Sequence, residues 1–410
     1  MKSHSFIYLI IYSCLIMSVS LQAQEHFAER YNVSYITMDD GLPHNFIDDI
    51  YKDTYGFLWI STAGGGLSRY DGYEFIHFNP NTPHCKLKSN FIHNVYEDRF
   101  HRLWIVSEGG TDIIDLSTLQ SVVPNDPKGL LPRFINQPTY IVILDSQGCI
   151  WLQCDNALHR ISFNTEGDID TLSTLDLPEL SEPDLILKDI DEDGKIWTGI
   201  NGTIYKITPT PQGQLEKSTI SEQLTFWPGI YFKDMIAKEN EVWIATHIGL
   251  FRYNKNSDTR KLYENIQSDS HSLSQNYLTD RAITYNKQLI AGTLRGANIY
   301  NPITDNFERL THSSNGNNHL NSNFINCIKV DGQHIWFGTE SGGINKLTPK
   351  RLAIHNYQHD KENPSSLSDN PVNVIYEDKE NNLWVGTVEG GLNLKKRGTE
   401  QFLHYRWERG

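Results

Sequence analysis

The chain has 410 residues, 38% hydrophobic and 21% charged, a globular rather than a disordered balance. Its net charge of -14, with no basic cluster, argues against nucleic acid as a partner. The length suits one large ring-shaped fold or two to three ordinary domains.

The first element in chain order reads as an export signal. Lys2 supplies a positive start, "FIYLIIYSCLIMSV" an apolar core, and "SLQAQ" a cleavage site after Ala23. Residues 1–23 are therefore expected to be a cleaved signal peptide and the remainder to lie in the periplasm. No later segment approaches the length of a membrane span. The signal aside, the cysteines are Cys85, Cys149, Cys154 and Cys327, too few for a disulfide framework and without zinc spacing.

After "YNVSYI" (31–36), which alternates like a strand, the chain repeats itself. "YKDTYGFLWISTAGGGLSRYDG" (51–72) returns as "DSQGCIWLQCDNALHRI" (145–161), "DEDGKIWTGINGTIYKI" (191–207), "KENEVWIATHIGLFRYN" (238–254), "GQHIWFGTESGGINKL" (332–347) and "DKENNLWVGTVEGGLNL" (378–394). The anchors are Trp59, Trp104, Trp151, Trp197, Trp243, Ile290, Trp336 and Trp384, spaced 45, 47, 46, 46, 47, 46 and 48 residues apart. A period near 46 made of short strands and turns predicts propeller blades, one four-stranded antiparallel sheet per repeat. The tryptophans are expected to be wedges between blades rather than a stacking platform.

In "KDIDEDGKIW" (188–197), Asp189, Asp191, Asp193 and Gly194 open like a calcium loop. Such a loop needs a bidentate Glu at its twelfth position, where this chain has Ile200, and two flanking helices. Asp also lies six residues before the anchor at Asp53, Asp98, Asp145 and Asp378, and Gly56 and Gly148 match Gly194. Asp followed three residues later by Gly is a type I turn between strands, so no metal and no cofactor is expected. The glycine-rich "TAGGGL", "TESGGI" and "TVEGGL" lack the Lys-Ser/Thr of a phosphate loop and read as turns.

A propeller hides its sheet edges by closing. The simplest closure makes residues 28–350 a seven-bladed ring with "YNVSYI" as the outer strand of its seventh blade. Residues 351–410 are then the first blade of an incomplete second propeller. A single eight-bladed ring is the alternative.

Two stretches carry a family resemblance. "DDGLPHNFIDDIYKDTYGFLWISTAGGGLSRYDGYEFIHF" (39–78) and "YQHDKENPSSLSDNPVNVIYEDKENNLWVGTVEGGLNL" (357–394) resemble the two-component-regulator propeller of periplasmic sensors in Bacteroidetes. Full members of that family join two seven-bladed propellers to an Ig-like domain, a membrane helix, a histidine kinase, a receiver and a helix-turn-helix domain. They sense glycan fragments and induce polysaccharide-utilisation genes. The resemblance implies a sensory, ligand-binding role. This chain shows no kinase histidine motif or ATP-binding glycine box, so no catalysis is expected of it.

In a propeller the connections between blades and the hairpins between second and third strands emerge on one face, where binding residues concentrate. Trp227, off the anchor pattern, is the best candidate to stack on a sugar. Arg295, His247, Glu340, Arg133, His44 and Asn201 are the polar candidates beside it, while Asn90, Asn276 and Asn323 read as turn-formers. The expected partner is a small molecule or oligosaccharide, with self-association of propellers as a companion. The competing functions are an exported propeller enzyme of lyase or glycosidase type, for which His247 with Glu340 could serve, and a protein-interaction platform.

Overall fold

The computed structural model describes residues 27–406 apart from 132–134, 155, 179–186, 192, 211, 239, 284–287, 313–318, 351–356 and 400. Residues 1–23, the expected signal peptide, and Arg133 lie outside the described residues. Among those described, the strands form eight four-stranded antiparallel sheets. Seven belong to a compact unit ending at Lys350 and one to a second unit, Arg351–Gly410.

Blade 1 shows the plan: inner strand Ile47–Lys52, then Leu58–Thr62, Gly66–Tyr70 and outer strand Phe75–Phe78. The second strands do not alternate. Leu58–Thr62, Arg102–Ser107, Ile150–Cys154, Ile196–Ile200 and Leu289–Thr293 are buried at every residue. The physical reason is that each blade is pressed between two others, so both faces of its second strand leave water.

The anchors do the pressing. Trp59 packs among Ile92, Val95 and Leu103 of blade 2, and Trp104 among Val142, Ile150 and Leu152 of blade 3. Trp151, Trp197 and Trp243 repeat this onto blades 4, 5 and 6. Ile290 has shed the indole, and Phe27 and Phe337 pack with it between blades 6 and 7, while between blades 5 and 6 Tyr300 lies 4.8 Å from Trp243. Trp336 of blade 7 packs on Ile47, Ile50, Leu58 and Ile60 of blade 1, so the ring closes there.

The Asp six residues before an anchor does more than make a turn. Asp53, Asp98, Asp145, Asp191 and Asp378 each accept the indole Nε1–H of their own tryptophan at 2.8–3.0 Å. The other carboxylate oxygen accepts the backbone amide four residues on, at 2.9 Å in blades 1, 3 and 4. The residue three before the anchor sits at positive φ, glycine in three blades, His101 in blade 2 (58°) and Asn381 in the second unit (59°). Trp336 has Val330 in the Asp position, and its buried Nε1 finds no partner among the described residues.

The ring is sealed by the N-terminal strand. Tyr31–Ile36 pairs antiparallel with Ile344–Pro349, from Tyr31 opposite Pro349 to Ile36 opposite Ile344. Just before it Phe27 is buried in the core of blades 6 and 7, and its amide donates to Glu308 Oε1 at 2.6 Å.

The second unit holds one sheet around a small core of Leu367, Val385 and Phe402. Its inner strand, Val372–Glu377, is exposed at every residue. Hydrogen exchange in this sheet is expected to be far faster than in blades 2 to 6, because an isolated sheet has little core to lose. Equal protection would contradict that.

Candidate binding face

The connections entering each blade and the hairpins between second and third strands form one bonded collar. The Ala63 amide donates to Phe46 O, His247 to Tyr231 O and Glu340 to Phe324 O, each tying a hairpin to the entry of its own blade. Gly66 donates to Asn90 O, Gly296 to Asn323 O and Gly343 to Asn45 O, tying each hairpin to the entry of the next. The two sets of loops therefore share one face, tied by backbone bonds at the hairpins of blades 1, 5, 6 and 7.

Trp227 stands on that collar, half exposed at 50%, with its ring edge-on to buried Phe226 at 6.4 Å. Its carbonyl lies against Gly202, where a Cβ would come within 2.7 Å. His247 accepts the Tyr231 amide at Nδ1 (3.1 Å), which puts its ring proton on Nε2, and stacks edge-on with Tyr231 at 5.3 Å. Tyr231 is itself 54% exposed. Trp227, Tyr231 and His247 thus share the approach to blade 5: two aromatic surfaces and one N–H donor, the elements that grip a polar ring-shaped ligand.

The other candidates are placed differently. Asn201 (φ 47°) and Gly202 (φ 82°) make a primed hairpin turn, so Asn201 is explained by its backbone. His44 spends Nδ1 on the Phe46 amide at 2.9 Å and is likewise a turn-former. Arg295 and Glu340 are exposed on the hairpins of blades 6 and 7, so His247 and Glu340 belong to different blades. Asn323 and Asn276 hold preceding loops through Oδ1, accepting from His312 N and Asn265 N, which is the turn-forming role.

Tyr231 was legible only as one of a set. An aromatic residue precedes the inner strand at Phe46, Phe91, Tyr231, Tyr277 and Phe324, and Phe91 and Phe324 are also exposed. The channel wall holds a second missed group. Burial, with the neighbouring Asp49 charge, pushes the half-buried Asp48 carboxyl up to about 7. A carboxyl raised on folding holds a proton that the unfolded chain has released, so stability falls as pH rises from about 4 to about 7. We expect Asp48→Asn to flatten that slope, gaining about 1–2 kcal/mol at pH 8 once solvent screening is allowed for, as read by urea melts at pH 5 and 8.

The comparisons fit this geometry. Residues 41–64 and 366–389 match the family model described as Two component regulator propeller. No curated protein matches the chain. Among solved structures, one described as the extracellular domain of hybrid two component system BT3049 from B. thetaiotaomicron is 19% identical, with a TM-score of 0.59 over 92% of this chain and 55% of that one. The corresponding domain of BT4673 gives 19% and 0.58, over 92% of this chain and 54% of that one. The chain spans about half the length of these structures. A catalytically inactive virginiamycin B lyase from Staphylococcus aureus, solved with quinupristin, is 14% identical with a TM-score of 0.52, over 78% of this chain and 100% of that one. All three share the propeller fold with this chain.

Proposed function

We propose that this chain, two of whose sheets carry the two-component-regulator propeller repeat, is the ligand-binding sensor region of a hybrid two-component system. It acts in the periplasm after export, and its ligands are glycan breakdown products that set the expression of polysaccharide-utilisation genes. The observation that carries this reading is the bonded collar with Trp227, Tyr231 and His247 at one blade entry. Aromatic faces take the C–H side of a sugar ring, and the His247 Nε2–H donates to a hydroxyl. A scaffold bonded this tightly reports binding as a change in population rather than a change of shape. Self-association of propellers would be the route by which occupancy is passed on.

The test is a thermal-shift screen of residues 24–410 against defined plant, host and microbial oligosaccharides. A ligand that binds only the native state raises the melting point by mass action. We expect a shift with one glycan class, abolished by Trp227→Ala, while the variant alone melts within about 0.5 kcal/mol of wild type because its ring is half in water. No shift with any glycan would count against the reading. The lyase-like alternative predicts turnover of the bound compound, and the likeness in fold alone does not carry a reaction.

A further inference from the structure

Every inner strand has a register shift near its start, at the collar end of the channel. In blades 1, 2, 6 and 7 it falls between Ile47 and Asp49, Ile92 and Asn94, Leu278 and Arg281, and Ile325 and Cys327. A bulge re-aims one side chain out of the sheet's alternation, and such positions recur beside functional sites. The residues at these bulges are Asp48, His93, Thr279 with Asp280, and Asn326.

They belong to four consecutive blades, in ring order 6, 7, 1 and 2. Asn326 Nδ2 crosses to Ile47 O at 3.1 Å, and His93 reaches onward to the Tyr140 ring at 5.8 Å. The charges of Asp49, Asp280 and Asp48 all bear on the buried Cys327 thiol of blade 7, which places these carboxyls around one stretch of wall.

The acids differ in how they are satisfied. Asp49 accepts from Asn94 Nδ2 (3.2 Å), the Ile50 amide (2.9 Å) and the Val95 amide (3.4 Å), and feels Lys329. Asp280 accepts the Ile328 amide. Asp48 has no hydrogen bond or ion pair among the described residues. The nearby cations are occupied: Lys329 lies over the Tyr51 ring at 5.0 Å, and Lys52 pairs with Asp331 at 2.7 Å.

Two of the bulge side chains also carry a buried polar atom without a partner among the described residues. Thr279 Oγ1 and His93 Nε2 have no partner, nor do Gln275 Oε1 and Asn90 Oδ1 on the connections entering blades 6 and 2. Buried polar atoms left without partners cost stability, and a bound polar group on the channel wall would satisfy those at the bulges. The set is weighted to acceptors around one unpaired carboxyl, and that is complementary to a cation with several N–H donors.

We propose that blades 6, 7, 1 and 2 form a binding site for a small ammonium-bearing ligand, with Asp48 as counter-ion and Thr279, Asn326 and His93 as the hydrogen-bonding wall. This site is separate from the Trp227 face and does not rest on the sensor reading.

The experiment is calorimetric titration of residues 24–410 with ethanolamine hydrochloride at pH 8, with ethylene glycol and potassium chloride as controls. Ethanolamine should bind and ethylene glycol, which lacks the ammonium, should not. Asp48→Asn should weaken binding at least about tenfold, as expected for loss of a desolvated charge partner. Thr279→Val, a second variant that leaves the charge in place, should weaken it by a smaller factor, and Trp227→Ala should leave it unchanged. At pH 6 binding should be about tenfold weaker, because the Asp48 carboxyl then holds its proton. Absence of ethanolamine binding, equal binding of ethylene glycol, or full affinity in a folded Asp48→Asn protein would overturn the proposal. Potassium binding as well as ethanolamine would overturn it too, since the site would then take inorganic cations without regard to N–H donors.

Discussion

Asp98→Ala should unfold the ring at markedly lower denaturant, with a loss of about 3–5 kcal/mol. The Asp98 carboxylate is 2% exposed and serves four donors at once. Oδ2 accepts Trp104 Nε1 at 2.9 Å and Arg102 Nε at 2.7 Å, and Oδ1 accepts the amides of Phe100 and Arg102. Removing it strands an indole N–H in the core and leaves the mostly buried Arg102 without its counter-charge. The guanidinium would keep only Gly167 O at 2.7 Å and the faces of Phe100 and Phe163 at 4.9 and 4.8 Å. Asp98→Asn keeps the shape, and one amide oxygen can still serve part of the set, so its loss should be smaller. Urea melts of both variants followed by tryptophan fluorescence decide this. Equal, small losses would mean that the turn alone matters and the indole clamp does not.

Phe27→Ala should cost a similar amount, about 3–5 kcal/mol, through the cavity it leaves between blades 6 and 7. Its effect should also be local in a way that the Asp98 change is not. Phe27 precedes the sealing strand, stacks on Tyr31 at 4.8 Å, lies under the Arg30 guanidinium at 4.9 Å, and packs with Ile299, Leu310 and Phe337. Every other seam of the ring is continuous in sequence within its blade. This one joins residues about 310 apart in the chain, so it is where sequence connectivity helps least. Hydrogen exchange in the variant should therefore rise first in Tyr31–Ile36 and Ile344–Pro349, ahead of blades 2 to 5. A uniform rise across all blades would show that the ring opens as one unit rather than at its seam.

Much of the architecture could be read without coordinates because a propeller is a local repeat. Trp59, Trp104, Trp151 and Trp197 keep a spacing of 45–47 residues, since each must reach the same point on the following blade. The Asp and Gly of each corner recur because a hairpin's geometry is set within a few residues. The sealing strand was legible for the same reason: "YNVSYI" alternates and belongs to no repeat of its own.

The indole clamp was visible only as a spacing. Six residues separate Asp53 from Trp59, but that the carboxylate turns back across the hairpin to the indole is a fact of antiparallel register. The collar was partly legible. Trp227 stood out by breaking the pattern, whereas Tyr231 hid within it, because exposure at the entry to a blade depends on what the neighbouring hairpin covers.

The sequence by itself determined the period, the corners, the wedge positions and the strand that seals the ring, all set by contacts along the chain or between identical units. Only the tertiary structure decided which polar groups are left unsatisfied at the channel. Asp48, His93 and Thr279 are up to 231 residues apart in sequence, and each sits at a bulge, where the two-residue alternation that lets a sequence predict a side chain's direction breaks down.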